Sequence, residues 1–282
     1  MDISEKYPHV KVDFRGNLGI GHEINAGNMS LCSFGDRFLV SIRQFNYKID
    51  LNRKDPYVWP YGFYPKRNNH FLIVDFDFNF EKSVKCSFIG LELAEDIRVV
   101  NFGSDRPEIQ ASFTYQYENI RMGAAWMDMD DEKGELFVKQ SFRFPFEWNK
   151  NWIPTLERGK FISDIQDGFI KFVSMDDPYN KDTVKCRGAI PCRGSSQLHE
   201  YEGGFVALVH RRDVNTFTNA LAFFERDFSS MKIGEWFDVF KRRTPINFCC
   251  GMSIKDGIAT LPFTIDDADT YLFKIAVHDL LR

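Results

Sequence analysis

This 282-residue sequence predicts an all-β fold of β-propeller type. Three observations carry the prediction. Strand-length apolar runs recur from end to end, Gly- and Asp-bearing reversals separate them, and polar-aromatic clusters return about every 50 residues, the size of a four-stranded blade. Five four-stranded antiparallel blades around a central channel fit the length.

The runs are Phe38–Arg43, Phe71–Phe76, Ile97–Phe102, Gln110–Tyr117, Phe137–Phe142, Phe169–Val173, Gly204–His210, Asn219–Phe224, Ile258–Phe263 and Leu272–Val277. Each is rich in β-branched or aromatic residues. Reversals are expected at Ser33–Arg37, Asp130–Gly134, Glu200–Gly204 and Lys255–Gly257, where Gly and Asp tolerate the backbone of tight hairpins. A helix is suggested only for short stretches such as Gly234–Lys241. Nothing resembling a linker divides the chain, so one domain over residues 1–282 is expected.

Hydrophobic residues make up 44% and aromatic residues 16%, with 29 Phe, which provides ample apolar surface for a core. A formal charge of −4, from 36 basic and 40 acidic residues well interleaved, offers no positive stripe for a nucleic-acid backbone. Met1–Lys6 lacks the apolar segment of a signal peptide, and no run approaches the roughly 20 residues of a membrane span. The expectation is a cytoplasmic protein with no membrane span and no nucleic-acid partner. Cysteines 32, 86, 186, 192, 249 and 250 lack CxxC spacing and read as buried thiols. A zinc site from Cys186, Cys192 and a distant His is disfavoured. The chain has no GxGxxG before a helix, no Walker A loop, no GxSxG elbow and no HExxH, so those classes lose their support.

Four clusters place polar groups on or beside strongly apolar strands, where burial without partners would cost several kcal/mol. In Ser41–Tyr47, Arg43 offers a planar donor fork and Asn46 an amide, although an arginine pairing across a strand would look the same. In Gly90–Arg98, strand alternation puts Asp96 and Arg98 on one face and Glu95 on the other. In Trp148–Pro154, Lys150 and Asn151 lie between tryptophans, a mixture suited to sugar stacking or to plugging the end of a β-fold. The fourth cluster joins Cys192–Gln197, with Arg193, to the strand ending at His210 and Arg211. The acidic run Asp128–Glu132 lacks calcium-loop spacing and reads as a solvated turn.

In order and spacing these clusters resemble a known family, the five-bladed propeller domains related to β-mannoside phosphorylases and β-mannosyltransferases, also found attached to bacterial and viral glycosyltransferases. The matching pieces are Asn25–Ser30 with Val40–Tyr47, Glu95–Arg98, Lys150–Pro154, Arg193–Ser196 and Ala207–His210. The family's compact Gly-Leu-Glu-Asp-x-Arg is interrupted here by Glu92-Leu93-Ala94.

The resemblance implies inverting transfer of a mannosyl-type group, from a sugar phosphate or nucleotide sugar to a glycan acceptor, or the reverse with phosphate. It implies Asp96 as the acid/base, Arg98, Lys150, Arg193 and His210 as phosphate ligands, and Arg43, Asn46, Glu95, Asn151 and Trp152 around the sugar. It requires no metal and no cofactor. Two alternatives stand beside it. One is a glycoside hydrolase on the same scaffold, with a second carboxylate from Glu92, Glu95 or Asp36. The other is a non-catalytic propeller that binds glycans or proteins.

Overall fold

The computed structural model describes residues 1–22, 24–45, 47–49, 57–58, 68–86, 94–103, 107–115, 120–147, 150–213, 216–240 and 246–282. Apart from two single-turn helices, α1 (Ile3–Lys6) and α2 (Val277–Leu280), their regular structure is all β.

The first strand, β1 (His9–Val12), pairs with the last strand of the chain. After it come β2 (Asn25–Phe34), β3 (Arg37–Phe45), the short pair β4 (Lys48–Ile49) and β5 (Tyr57–Val58), β6 (Asn68–Asp75) and β7 (Phe80–Cys86), which build the antiparallel meander β2-β3-β6-β7. A second meander holds β8 (Ala94–Asn101), β9 (Glu108–Tyr115), β10 (Arg121–Asp130) and β11 (Glu135–Glu147). A two-residue parallel pairing of β7 with β11 joins the two into one eight-stranded sheet. Its edges β2 and β8 return to each other, with Val99 N donating to Ser30 Oγ at 3.1 Å, so that the sheet is nearly closed.

The third meander is β12 (Ile153–Pro154), β13 (Lys160–Gln166), β14 (Phe169–Ser174) and β15 (Asp182–Lys185). The fourth holds β16 (Arg193–Gly194), β17 (His199–Tyr201), β18 (Gly204–Asp213), β19 (Thr216–Phe224) and β20 (Met231–Ile233), with both β16 and β17 on β18. The fifth holds β21 (Asn247–Cys249), β22 (Ser253–Lys255), β23 (Ile258–Ile265) and β24 (Asp269–Ala276), and β1 completes its outer edge. The start and end of the chain are thereby hydrogen-bonded into one sheet.

The predicted reversals fall where the strands turn. Glu202-Gly203 and Asp256-Gly257 carry φ of 45° and 81° and of 50° and 74°, the left-handed pair that a two-residue hairpin needs. Pro262 lies inside β23, yet it falls between the segments paired with β22 and β21, in the gap where no ladder N–H is called for.

Each meander buries both faces, which explains the unbroken apolar runs. On β18, Val206 and Leu208 face a core shared with Leu261, Phe263 and Phe273, while Ala207 and Val209 face one shared with Ile162, Ile170 and Phe172. The remaining cores lie between the first and second meanders, the second and third, and the fifth and first. Among the described residues the packing therefore runs round in a ring.

The helix suggested for Gly234–Lys241 does not form over its described residues. Phe237 and Val239 are buried while Glu235 and Trp236 are not, and Phe237 bridges to Asn219 in extended conformation. Two large apolar side chains separated by one residue suit the period of a strand, and core burial overrides the local helical pattern.

Candidate active site

The polar clusters converge where the meanders meet, and a β-bulge arranges the second of them, on β8. On β8 the register passes from Glu95↔Thr114 to Arg98↔Ser112, and Asp96 takes a left-handed φ of 52°. Glu95 and Asp96 are therefore not opposed, as simple alternation predicts. Both meet Arg43 at the end of β3, whose Nη2 donates to Glu95 Oε1 at 2.5 Å and whose Nη1 donates to Asp96 Oδ1 at 3.3 Å. All three are buried, and the guanidinium also lies over the Phe45 ring.

Asp96 has a second anchor. Asn28 sits in a bulge of β2 at φ 47°, its N–H donates to Thr264 Oγ1 of the fifth meander, and its Nδ2 donates to Asp96 Oδ1 at 3.0 Å. Burial alone would raise the Asp96 pKa, but Arg43, Lys150, Arg98 and the Asn28 hydrogen bond outweigh it and hold the carboxyl below its usual range. Asp96 is thus a carboxylate at neutral pH, able to accept a proton.

Arg98 is fully buried and ties three meanders together. Its Nε donates to Ser195 O, Nη1 to Asp96 O, and Nη2 to both Asn151 Oδ1 and Gly194 O, at 3.0–3.2 Å. Four of its five N–H donors are committed to protein oxygens, so Arg98 braces the site rather than acting as a free phosphate fork. Gly194 permits this approach, because a Cβ there would lie 2.3 Å from Ile153 Cγ1 and 2.9 Å from Asn151 O. Gly194→Ala is expected to destabilise the fold by about 1–3 kcal/mol in urea denaturation, through overpacking at this junction.

His210 is 1% exposed, pairs with Arg193 across β16 and β18, and its Nδ1 lies 2.8 Å from Ser195 Oγ. Burial, with Arg98, Arg193 and Lys150 nearby, pushes its pKa down to about 3. His210, read from the resemblance as a phosphate ligand, is therefore a neutral hydrogen-bonding group in this structure. Lys150 is half-buried, Arg193 is exposed, and neither has a carboxylate partner among the described residues. Lys150 bears on both Asp96 and His210, and Arg193 on His210, through their charge.

One further expectation changes. Trp152 is 0% exposed and packs on Phe144, Phe146 and Phe161, so it belongs to the core and not to a sugar-stacking surface. Its neighbour Asn151 is directed to Arg98 by a left-handed φ of 64°. Asn46, Glu92, Trp148 and Asn149 lie outside the described residues.

One group was not singled out by sequence reasoning. Asp267, in the turn from β23 to β24, is 5% exposed, and its Oδ2 accepts a 2.6 Å hydrogen bond from Tyr47 OH. Burial pushes its carboxyl up to about 6, against the pull of Arg43 and the Tyr47 hydrogen bond, with Asp96 and Glu95 adding to the rise. An Asp doublet between strands reads as an ordinary turn, and only the backbone conformation turns this side chain inward.

No family model and no curated protein matches the sequence. The fold does match solved structures. One is β-1,2-mannobiose phosphorylase from Listeria innocua in complex with β-1,2-mannobiose, with a TM-score of 0.64 and 13% identity over 97% of this chain and 98% of that one. Another is described with the GH130 family of mannoside phosphorylases, which contains glycoside hydrolases acting on β-1,2-mannosidic linkages in Candida mannan. It has a TM-score of 0.56 and 10% identity over 89% of this chain and 84% of that one. A glycosyl hydrolase from Bacteroides ovatus also has a TM-score of 0.56, with 11% identity over 89% and 84%. At these identities the similarity establishes a shared fold. Among the described residues no cluster of His, Cys, Asp or Glu is placed to hold a metal, and no helix is long and apolar enough to cross a membrane.

Proposed function

We propose that this protein is a carbohydrate-active enzyme on a five-bladed propeller. In this reading it transfers a mannosyl-type group, with inversion, between a phosphate-bearing donor and a glycan hydroxyl. The five meanders and the ring of cores between them support the blade reading, in which the polar clusters surround one end of the central channel. The observation that carries the chemistry is Asp96, a buried carboxylate held by Arg43 and Asn28 within a field of cations.

In the direction of transfer, the acceptor oxygen attacks the anomeric carbon from the face opposite the phosphate. The new C–O bond forms as the bond to the phosphate oxygen breaks, and Asp96 receives the hydroxyl proton. The leaving phosphate departs with its electron pair into the charge of Lys150 and Arg193. Phosphorolysis is the reverse, with protonated Asp96 returning the proton. Arg43, Glu95 and Asn151 line the same junction and orient sugar hydroxyls.

Mannose 1-phosphate, inorganic phosphate and a mannose nucleotide serve as probes, since a ligand above its Kd raises apparent stability. A thermal shift with mannose 1-phosphate or phosphate, weakened in Arg193→Ala, is the expected outcome. A shift with the nucleotide alone points to a nucleotide-sugar donor. Silence across the panel moves weight to a non-catalytic binding propeller. The hydrolytic alternative draws on Glu95, a second carboxylate on the same guanidinium, and predicts sugar release that does not depend on added phosphate.

A further inference from the structure

Asn28 holds Asp96, and a pair of buried threonines on another meander holds Asn28. The β2–β3 register passes from Gly27↔Arg43 to Ser30↔Ser41 and skips Asn28, whose φ of 47° is left-handed. The Asn28 N–H therefore leaves the ladder and donates to Thr264 Oγ1 at 2.6 Å. Thr264 Oγ1 in turn lies 3.0 Å from the hydroxyl of Thr270, its register partner on β24, and both threonines are buried. The strands come unusually close here. A Cβ on Gly27 would stand 2.4 Å from Thr264 Cγ2, so the approach of β2 to β23 requires glycine at that position. Hydrogen bonds thus run from the fifth meander through Asn28 to Asp96 Oδ1 in the second.

We propose that Thr264 is a positioning residue for the reaction: its hydroxyl, oriented by Thr270, seats the Asn28 bulge so that Asn28 Nδ2 points at Asp96 Oδ1. The proposal rests on the functional reading above, in which Asp96 takes the acceptor proton. For packing in a strand, valine serves as well as threonine. It cannot accept the Asn28 hydrogen bond, and it puts a methyl where Oγ1 stands, too close to a backbone nitrogen for carbon. Asn28 must then move, and its buried N–H loses its partner. Burial raises the Asp96 carboxyl, while Arg43, Lys150, Arg98 and the Asn28 hydrogen bond together hold it below its usual range, so withdrawing Nδ2 lets it rise. His210 of β18, Cys250 after β21 and Asp267 of the β23–β24 turn also face Asp96, and Glu95 shares Arg43 with it.

The test is the pH dependence of phosphate release from mannose 1-phosphate, with mannose as the acceptor, for wild type, Thr264→Val and Thr264→Ser. Thr264→Val is expected to lower kcat at neutral pH roughly tenfold or more, the worth of one hydrogen bond to a charged group. Its acid limb should move to higher pH, because Asp96 then protonates more readily. Thr264→Ser, which keeps the hydroxyl, should retain the wild-type rate and limb. Asn28→Gly suits the left-handed backbone and removes the side chain, so it should shift the limb in the same direction. Adding Thr264→Val to Asn28→Gly should produce no further shift, since Thr264 acts through Asn28. A threonine kept for packing alone would change heat stability and leave the limb of the folded enzyme in place. An unmoved limb in Thr264→Val, or a further shift in the double variant, would overturn the proposal alone. Where valine prevents folding, Thr264→Ala carries the same expectations without the added methyl contact. A wild type that releases no phosphate would overturn the functional reading and this proposal with it.

Discussion

Asp96→Asn is expected to lower turnover by roughly 10²–10⁴-fold while leaving the fold and ligand binding in place. The reason lies in which atom makes the contacts. Asn28 Nδ2 and Arg43 Nη1 both donate to the same oxygen, Oδ1, so an amide oxygen at that position can accept both bonds. What the amide lacks is the negative charge and the capacity to take up a proton. Because Asp96 is held below the usual carboxylate range, the wild-type rate in the transfer direction should stay level through neutral pH and fall only well into acid. Steady-state kinetics of purified Asp96→Asn, with thermal stabilisation by mannose 1-phosphate as the binding control, provide the measurement. Full activity in that variant would remove Asp96 from the chemistry.

Arg43→Ala is expected to have the largest effect on stability, a loss of about 3–5 kcal/mol at pH 7, because it leaves Glu95 and Asp96 buried without their guanidinium. The sign with pH follows from linkage. Asp96 has a depressed folded-state pKa, so its ion-pair stabilisation is present above its unfolded pKa and lost as the pH falls through the folded value. The difference between wild type and Arg43→Ala should therefore shrink as the pH is lowered from 7 toward 4, since protonation relieves the uncompensated charge in the variant. Urea denaturation at several pH values measures it. A loss below about 1 kcal/mol at pH 7, or one independent of pH, would mean that water reaches the cluster and screens it.

The sequence legibly specified the strands, because their information is local. Phe38–Arg43, Gly204–His210 and Ile258–Phe263 each carry apolar side chains on both faces of a short run, and each lies within a strand. The hairpins at Glu202-Gly203 and Asp256-Gly257 were equally plain, since residues that tolerate left-handed φ mark where a tight turn can occur. The failure at Gly234–Lys241 has the complementary cause. A weak local pattern there yields to the core that claims both Phe237 and Val239.

The polar residues the sequence singles out were legible as a set, and Arg43, Glu95, Asp96, Asn151 and His210 are linked from strands far apart in the chain through Arg98 and Ser195. Their roles were not. A single extra residue in the ladder at Asp96 brought Glu95 onto the same cation, and no rule of alternation predicts where a bulge will fall. Arg98 and Trp152 have side chains suited to binding ligands, yet burial made one a brace and the other core. Charge state was likewise decided by surroundings, since the same burial that leaves His210 neutral raises Asp267, while neighbouring cations keep Asp96 ionised. By itself the sequence determined an all-β chain of short antiparallel strands and the set of polar residues at their ends. Tertiary structure alone decided which of them face one another and which carry charge, because both depend on desolvation and on partners supplied by other meanders.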